Sequence, residues 1–383
     1  MTGCANQRIR LSIDAMPVAP GGGLTVLLGY LEAWREIDAP LDITVYTWRT
    51  TVVEALKEAG FEKLLSPAPV TSRRAALIWE RRQLPRAINA AGADVVWTSN
   101  LMLSGVAAPQ VVHHQTLFSL EHDRLSAYFR GGARRVLQFI GARKALKRAA
   151  RNVFISNYLR ERADSIVPSS SDRNQVIYNG VAQAWLDRAK RGRSHSNLSR
   201  TICTLSAPSP HKDNESVLQV MAELARLQPD PGWRLIIAGP SDWSAWKTRA
   251  VELGIGDLVD FVGYLNIGEV AQLYEKSICT IFPSLFEAFG LPIVEAMACG
   301  CPVIAVDRTA MPEVAGDAAA ALVEPADVGE MVAAVLRLAS DESWFRAKVT
   351  ASYERALAFS WPKSAEALLN VFWDVVAEHS RAD

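Results

Sequence analysis

Apolar runs of strand length alternate with longer helical patterns along most of this chain of 383 residues. The alternation is typical of α/β proteins with parallel sheets, because two neighbouring parallel strands need a crossover between them that is usually a helix. The rhythm occurs once before residue 182 and again after residue 201. The sequence therefore predicts an α/β protein with two doubly wound, Rossmann-like domains that face each other across a cleft.

The polar segment 183–200 interrupts this rhythm and is interpreted as a linker. The predicted N-terminal domain spans residues 1–182 and the predicted C-terminal domain spans 201–361. A last helix, at about 362–380, is expected to pack back onto the N-terminal domain. Residues 73–90 are predicted to form one helix. Strands are predicted at 10–15, 41–46, 95–98, 110–114, 152–155 and 175–178, and then at 201–205, 233–238, 259–262, 278–282 and 303–306.

Charge is distributed unevenly, although the formal net charge is zero. Residues 1–180 contain 23 Lys and Arg against 15 Asp and Glu, whereas the remaining residues contain 18 against 26. Residues 130–151 are basic and lack any acid, which fits either a solvated helix face or a surface for anionic lipid head groups. Nucleic acid is not an expected partner, because interleaved aromatic residues are missing there. The basic residues are Arg130, Arg134, Arg135, Arg143, Lys144, Lys147, Arg148 and Arg151.

Cysteine usage and hydropathy indicate the cellular setting. The five cysteines form no Cys-x-x-Cys pair and have no neighbours at zinc-ligand spacing. The first residues do not resemble a signal peptide, and no apolar stretch reaches the roughly 18 residues of a transmembrane helix. We therefore expect a cytoplasmic protein, with peripheral attachment to the inner face of the cell membrane if the basic segment binds lipid.

The segment 282–295, F-P-S-L-F-E-A-F-G-L-P-I-V-E, is the most informative part of the sequence. It leaves a strand, passes Gly290 and enters a helix with Pro292 in its first turn, where proline is favoured. Such a helix start offers backbone N–H groups and a positive dipole end, which suit a diphosphate. Glu287 and Glu295 flank the position, and carboxylates suit sugar hydroxyl groups. Each glutamate alone could equally be an ordinary surface or helix-start residue.

The two glutamates within this block resemble those of glycosyltransferase family four, a family of retaining enzymes with the GT-B fold. Further similar blocks are V-I-Y-N-G-V at 176–181, L-I-I-A-G at 235–239, V-D-F-V-G-Y at 259–264, M-P-E-V at 311–314 and S-W at 360–361. The resemblance is strong over about residues 150–375 and weaker before them. It implies a retaining, metal-independent hexosyltransferase with a nucleotide diphosphate sugar as substrate and no separate cofactor.

The resemblance also implies roles for residues of the C-terminal domain. Glu287 would bind hydroxyl groups of the donor sugar and act in catalysis, and Glu295 would bind the ribose. Backbone N–H groups would face the diphosphate at Phe289, Gly290 and Leu291. The nucleotide base would lie beside Val262, Tyr264 and Leu265.

Lys212 matches the family's lysine that contacts the diphosphate, and it is assigned to catalysis and donor binding. Ala207 stands about where the family has an arginine. This departure puts the stabilisation of the leaving group in doubt, unless His211 or another cation substitutes.

Two features of the N-terminal half complete the predicted site. The glycine run at 21–23 lacks the spacing of a dinucleotide fingerprint, which argues against a nicotinamide cofactor. It resembles the family's Gly-Gly loop, with Gly22 and Gly23 as donor contacts, although an ordinary turn is the alternative. The family often has a functional histidine at the end of a strand. Only one of His113 and His114 can face the cleft; His114 is chosen, and Gln115 could equally occupy the position.

Together these features predict transfer of a hexose to a lipid-linked or polysaccharide acceptor in surface glycan biosynthesis. The loop S-P-H-K-D-N at 209–214 loosely resembles that of mannosyl- and rhamnosyl-transferring relatives, so GDP-mannose is the first expected donor. One alternative is a catalytically inactive GT-B subunit that binds a partner or a glycan, which Ala207 favours mildly. The other is a transferase with a soluble sugar acceptor, against which the basic N-terminal half counts.

Overall fold

The computed structural model describes residues 8–116, 120, 132–189, 199–229, 232–239 and 242–382, and for 132–135, 169, 189 and 382 only the backbone. The chain divides into two compact units. Unit 1 consists of Met1–Gly180 together with Trp361–Asp383, and unit 2 consists of Val181–Ser360.

Parallel strands form one sheet in each unit. In unit 1 they are β1 (Ile9–Asp14), β2 (Leu41–Thr47), β3 (Leu65–Pro67), β4 (Val95–Ser99), β5 (Gln110–His114), β6 (Arg151–Phe154) and β7 (Asn174–Val176). In unit 2 they are β8 (Thr201–Leu205), β9 (Arg234–Ala238), β10 (Val259–Val262), β11 (Cys279–Phe282), β12 (Val303–Val306) and β13 (Ala321–Val323).

Both sheets have the doubly wound strand order. The order is β3-β2-β1-β4-β5-β6-β7 in unit 1 and β10-β9-β8-β11-β12-β13 in unit 2. The direction of winding reverses between β1 and β4 and between β8 and β11, so each sheet has a switch point at which loops diverge. The central strands are buried along their length, as β11 and β12 illustrate, which explains their continuous apolar sequences. The prediction of an α/β fold with two Rossmann-like domains is confirmed.

Helices cover these sheets. They are α1 (Gly22–Glu36), α2 (Thr50–Glu58), α3 (Arg73–Arg82), α4 (Leu84–Ala90), α5 (Gly132–Arg148), α6 (Asn157–Ile166), α7 (Gln183–Ala189), α8 (Asn214–Leu227), α9 (Ser244–Glu252), α10 (Ile267–Lys276), α11 (Leu291–Ala298), α12 (Met311–Ala315), α13 (Val328–Ser340), α14 (Glu342–Ala356) and α15 (Trp361–Ala382). The predicted single helix at 73–90 is instead the pair α3 and α4. The break occurs before Pro85, which has no N–H to continue the helical hydrogen bonds.

The last helix, α15, belongs to unit 1 although it follows unit 2 in the sequence. The Trp34 indole on α1 donates a hydrogen bond to the Ala365 carbonyl at 3.0 Å. The Trp361 side chain lies against Gly29 of α1, where an added Cβ would come within 2.4 Å of the indole. At Gly180 an added Cβ would lie 2.2 Å from the Trp361 amide nitrogen. A side chain at position 29 or 180 would collide with Trp361, so both positions require glycine.

The beginning of the predicted linker is helical. Residues 183–189 form α7 in unit 2, with the side chains of Trp185 and Leu186 buried. Arg188 donates two hydrogen bonds to Glu275 of α10, at 2.7 and 2.8 Å. The linker interpretation is corrected for these residues: the segment is polar on average, but its two apolar side chains anchor it to unit 2. Residues 190–198 lie outside the described part of the chain.

Candidate functional site

The loops at the switch point of unit 2 bring together two predicted site residues. Lys212 follows β8 and Glu287 follows β11, 75 residues later, and Lys212 Nζ lies 2.5 Å from Glu287 Oε1. Their side chains are 20% and 18% exposed. Ligands of doubly wound sheets bind in the crevice at this point, beyond the carboxyl ends of the strands. The ion pair therefore lies where the fold offers a ligand site.

Local hydrogen bonds fix the loop that carries Lys212. The Asn214 amide donates to the Ala207 carbonyl at 2.8 Å, and its oxygen accepts from Ser206 Oγ at 2.6 Å. Between Lys212 and α8, Asp213 adopts the left-handed conformation, with φ 46°. The Lys212 ammonium also lies 5.3 Å from the centre of the Phe282 ring, a cation–π distance. The lysine is thus held from both its backbone and its side chain.

The loop after β9 passes close to the same segment. An added Cβ at Gly239 would lie only 1.9 Å from the Ser206 carbonyl oxygen. This contact gives the L-I-I-A-G block a physical reason to end in glycine, since any side chain would push the two loops apart.

The start of α11 has the geometry expected of an anion-binding helix terminus. Gly290 precedes the helix at φ 89° and ψ 56°, and the first helical turn is closed by the Ile293 N–H, which donates to the Gly290 carbonyl at 2.9 Å. The Leu291 N–H belongs to the first residue of α11, before Ile293, and lies at the positive end of the helix. The Phe289 side chain is buried, with its ring 5.5 Å from that of Phe359. The Phe289 ring is therefore not accessible to a ligand.

Glu295 lies one turn further along α11 and is partly buried. Burial raises the pKa of its carboxyl group to about 7. Its neighbour Tyr274 donates a hydrogen bond from its hydroxyl to the Pro292 carbonyl at 3.1 Å, and burial raises the pKa of this phenol well above its usual value. Near neutral pH, Glu295 can thus either donate or accept a hydrogen bond, as binding to a ribose hydroxyl requires.

The residues predicted to face the base lie at the carboxyl end of β10, in the same sheet. Val262 closes that strand, and Tyr264 follows it with 74% of its surface exposed. Leu265 is partly buried. The structure therefore places these three residues at the sheet edge that also carries Lys212.

Burial favours the neutral form of His211, the residue that could substitute for the arginine expected at Ala207. Its Nδ1 lies 2.8 Å from Ser209 Oγ. Burial and the adjacent Lys212 ammonium lower the pKa of His211, while the Glu287 carboxylate acts in the opposite direction. The imidazole is therefore neutral near pH 7, so in this loop the positive charge resides on Lys212.

The sequence interpretation missed Thr309. Its hydroxyl accepts a hydrogen bond from the Glu287 N–H at 3.1 Å, and its backbone adopts the left-handed conformation, with φ 52°. Thr309 follows β12, the neighbour of β11, so its place just after a predicted strand was the signal that could have indicated it. The contact fixes the backbone of the residue assigned to the donor sugar.

The predicted glycine loop of unit 1 lies at that unit's own switch point. Gly21, at φ 103°, precedes α1, and Gly22 and Gly23 begin the helix. Gly23 lines a small recess between the ends of β1 and β4. The recess is lined by Ile13, Asp14, Val18, Gly23, Leu27, Trp97, Ser99 and Gln115.

Both histidines at the end of β5 are fully buried, so the choice of His114 as the residue that faces a ligand is not supported by the structure. His114 Nε2 lies 3.1 Å from Asn152 Oδ1, and its ring stacks on Phe154 at 4.6 Å. Burial lowers the pKa of His113 to about 3 and that of His114 to about 4. The two rings do point to opposite faces, but both faces of this central strand are covered. Gln115, the alternative, is the residue that lines the recess.

The described part of the basic segment forms α5 and joins β6. Arg143, Lys144, Lys147 and Arg148 are exposed, whereas Arg151 pairs with Glu378 of α15. The same helix exposes three apolar side chains, Val136, Leu137 and Ile140, by 43%, 66% and 56%. Arg130 and the side chains of Arg134 and Arg135 lie outside the described residues.

Four cysteines have buried thiol groups: Cys203, Cys279, Cys299 and Cys301. Cys4 lies outside the described residues. Within the described ranges, no three His, Cys, Asp or Glu side chains are grouped as a metal site would require. In those same ranges, the helices lack the combination of length and apolar composition needed to cross a membrane.

Comparison with known proteins identifies similar chains. O-antigen chain mannosyltransferase B of Escherichia coli is 31% identical over 167 residues, 43% of either chain. MMP alpha-(1->4)-mannosyltransferase of Mycolicibacterium hassiacum is 35% identical over 211 residues, 54% of this chain and 50% of that protein. This chain thus spans half or less of the length of these two relatives. The crystal structure of Anabaena Alr3699/HepE in complex with UDP and glucose matches 96% of this chain and 100% of its own, with a TM-score of 0.72 at 16% identity, which shows a shared fold.

Two family profiles divide the chain between them. The profile described as Glycosyltransferase Family 4 matches residues 20–184, and the profile described as Glycosyl transferases group 1 matches residues 188–355. The second match contains the ion pair and the start of α11, and the first contains the glycine loop. The chain belongs to glycosyltransferase family four.

Proposed function

We propose that this protein transfers a hexose from a nucleotide diphosphate sugar to a lipid-linked or polysaccharide acceptor, with retention of configuration and without a metal ion. The observation that carries the proposal is the position of the Lys212–Glu287 ion pair at the switch point of unit 2, in the loops that lead to α8 and α11. A cation, a helix N-terminus and a carboxylate at one sheet edge suit the phosphates and the hydroxyl groups of one ligand.

Each group has a chemical task in this proposal. Lys212 and the Gly290 and Leu291 amides bind the diphosphate, which gains negative charge as the glycosidic bond to phosphate breaks. Glu287 binds hydroxyl groups of the transferred sugar, and Glu295 binds the ribose. Lys212 then exchanges its carboxylate partner for a phosphate, which frees Glu287 for the sugar. The leaving phosphate itself assists removal of the acceptor proton, so no separate base is assigned.

We propose mannose as the transferred sugar and GDP-mannose as the donor. Two similar proteins are named as mannosyltransferases, whereas the similar Anabaena structure contains UDP and glucose. Thermal unfolding of the full chain in the presence of GDP, UDP, GDP-mannose and UDP-glucose tests the choice. Stabilisation by both guanosine ligands supports GDP-mannose as the donor. Stabilisation by the uridine ligands alone indicates a uridine diphosphate sugar instead. No stabilisation by any of the four ligands contradicts the proposed function.

A second experiment, on donor hydrolysis, addresses the inactive-subunit alternative, which Ala207 and the neutral His211 favour. An inactive subunit would hydrolyse no donor, so slow release of free sugar from a stabilising nucleotide sugar distinguishes the two. Donor hydrolysis above the rate without protein supports an enzyme.

We further propose that α5 docks on an anionic membrane, which would bring a lipid-linked acceptor to unit 1. The helix combines exposed Leu137 and Ile140 with four exposed basic residues, and interfacial helices show this combination. Helix α3 has a similar surface, with Leu77 and Ile78 exposed between arginines at both of its ends. The exposed apolar side chains favour a lipid surface over a merely solvated basic helix.

A further inference from the structure

Asp14 ends β1 with its side chain only 4% exposed. Its Oδ1 accepts a hydrogen bond from the Met16 N–H at 3.1 Å. The other carboxyl oxygen has no hydrogen-bond partner among the described residues, and the side chain forms part of the wall of the recess beside Gly23. This oxygen can therefore form a hydrogen bond with a group that enters the recess.

The size and lining of the recess define that partner. The free volume is about 10 Å³, close to what one water-sized group needs. Ile13, Val18, Leu27 and Trp97 form apolar walls. None of the eight described residues that line the recess has a basic side chain, Asp14 is acidic, and the volume is too small for a phosphate. A neutral hydroxyl group fits both the size and the polarity.

The remaining polar residues of the recess are fixed in place. Ser99 ends β4, and Asn100 follows it with φ 63°. The Asn100 side-chain oxygen accepts hydrogen bonds from the N–H groups of Gln115, at 2.9 Å, and Thr116, at 3.2 Å. These bonds join the ends of β4 and β5, so Ser99 and Gln115 keep their positions beside Asp14. The recess therefore presents a few fixed polar groups among apolar side chains, as small-ligand sites commonly do.

We propose that this recess is a hydroxyl-binding subsite of the enzyme, in which Asp14 binds one hydroxyl group of a sugar. The inference rests on the proposed function and deepens it, because it assigns a sugar contact to unit 1. The hydroxyl group belongs either to the transferred sugar or to the acceptor. Burial and the nearby Glu80 carboxylate raise the pKa of Asp14 to about 8. The carboxyl group is thus mostly protonated at pH 7, and it can donate to a hydroxyl oxygen as well as accept from its proton.

Three variants of the full chain test the proposal. Asp14→Ala removes the carboxyl group. Asp14→Asn keeps an oxygen for the Met16 N–H and a neutral donor for the recess, so it should preserve both the turn and the sugar contact. Ser12→Ala is the matched control, because Ser12 is buried on the same face of β1, two residues earlier, and does not line the recess.

Calorimetry with GDP, GDP-mannose and methyl α-mannoside separates the sources of the hydroxyl group; UDP, UDP-glucose and methyl α-glucoside replace them if the uridine ligands stabilise the chain. Asp14→Ala should bind the nucleoside diphosphate as the wild type does. If the hydroxyl is on the donor, Asp14→Ala should weaken nucleotide-sugar binding about tenfold or more. If the hydroxyl is on the acceptor, Asp14→Ala should instead weaken binding of the methyl glycoside, measured in the presence of the diphosphate. Asp14→Asn and Ser12→Ala should retain wild-type affinity for both.

A second measurement excludes a purely structural role for Asp14. In protein labelled with ¹³C at the aspartate carboxyl groups, the resonance that Asp14→Asn removes should shift when a sugar probe is added, but not with the nucleoside diphosphate alone. A resonance unmoved by both sugar probes, or unchanged sugar affinity in Asp14→Ala, overturns the proposal. Failure of every nucleotide to bind the wild type contradicts the proposed function instead.

Discussion

The Lys212 ammonium lies 2.5 Å from a carboxylate oxygen of Glu287, so the groups that we assign to opposite parts of one donor form an ion pair with each other. The pair is mostly buried, and removing either partner leaves the other in a poorly solvated position. Its two members should therefore affect binding and catalysis in different ways.

Replacing Lys212 with Ala should weaken binding of the nucleoside diphosphate. The variant loses a charge-assisted hydrogen bond to phosphate, worth roughly 1.5–3 kcal/mol, or about one to two decades in Kd. Calorimetric titration with the diphosphate measures the change. Lys247→Ala, which removes an exposed lysine from α9, is the control and should bind as the wild type does. Equal affinity in Lys212→Ala and the control contradicts the assignment.

Replacing Glu287 with Ala should abolish transfer while the nucleoside diphosphate still binds. A carboxylate that holds the sugar in the transition state contributes roughly 2–4 kcal/mol to the barrier, or about two to three decades in rate. Initial rates with a saturating donor measure the effect, and titration with the diphosphate serves as the binding control. Wild-type turnover in this variant would show that Glu287 does not hold the sugar.

Activity should persist in EDTA, because we expect Lys212 and the amides at the start of α11 to carry the charge of the diphosphate. The measurement is the rate of donor consumption after dialysis against chelator, with and without added Mg²⁺ or Mn²⁺. Loss of activity that either metal ion restores contradicts a metal-independent mechanism.

Glu295 should make the folded state less stable as the pH rises. Its pKa of about 7 in the folded chain exceeds the ordinary 4.5 of a glutamate, so the folded state holds a proton that the unfolded state releases. This contribution is lost between about pH 4.5 and 7 and is constant above that range. Glu295→Gln cannot ionise. Between about pH 4.5 and 7, its free energy of unfolding should therefore rise by about 3 kcal/mol relative to that of the wild type.

The comparison is made by denaturant unfolding at pH 5, 6, 7 and 8. Glu354→Gln is the control, because it removes an exposed carboxylate from α14. A constant difference between Glu295→Gln and the wild type at all four pH values would mean that Glu295 keeps an ordinary pKa.

Binding to anionic vesicles should depend on α5. Each Lys or Arg near an anionic surface contributes about 1 kcal/mol. Changing Arg143, Lys144, Lys147 and Arg148 to Ser should therefore remove most of the binding. The attraction should also weaken steeply with salt, since the Debye length falls from about 10 Å at 0.1 M to about 3 Å at 1 M.

Co-sedimentation with neutral and anionic vesicles measures this binding. A second variant, Leu137→Ser with Ile140→Ser, keeps the charge and removes exposed apolar side chains; it should bind more weakly than the wild type but retain the salt dependence. Equal sedimentation with both vesicle types, or no effect of the four basic substitutions, would mean that the helix is simply solvated.

The sequence predicted the alternation of strands and helices well, because buried parallel strands are continuous apolar runs. It missed β3 and β13, which have three residues each, although it found β7, which is equally short. The roles of Glu287 and Lys212 came from the resemblance. No local pattern could show that residues 75 positions apart form an ion pair.

Two further differences between the sequence-based predictions and the structure have a common cause. His114 lies on a strand covered on both faces, and sequence alternation cannot tell whether the second face is open. Asp14 was overlooked because it was included in the strand predicted at 10–15, and a single aspartate in an apolar run does not show how deeply its side chain is buried. In both cases the deciding quantity is burial by distant elements, which only the folded chain reveals.

The packing of Trp361 against Gly29 and Gly180 has a consequence for how the protein is made. Unit 2 is one continuous stretch of sequence, so its core needs no residue that is synthesised after Ser360. Unit 1 differs, because α15 supplies Trp361 and Phe372 to an aromatic cluster that includes Tyr30, Trp34 and Trp97. Although its first strand is synthesised first, unit 1 therefore cannot complete its core before residues 361–372 have been made.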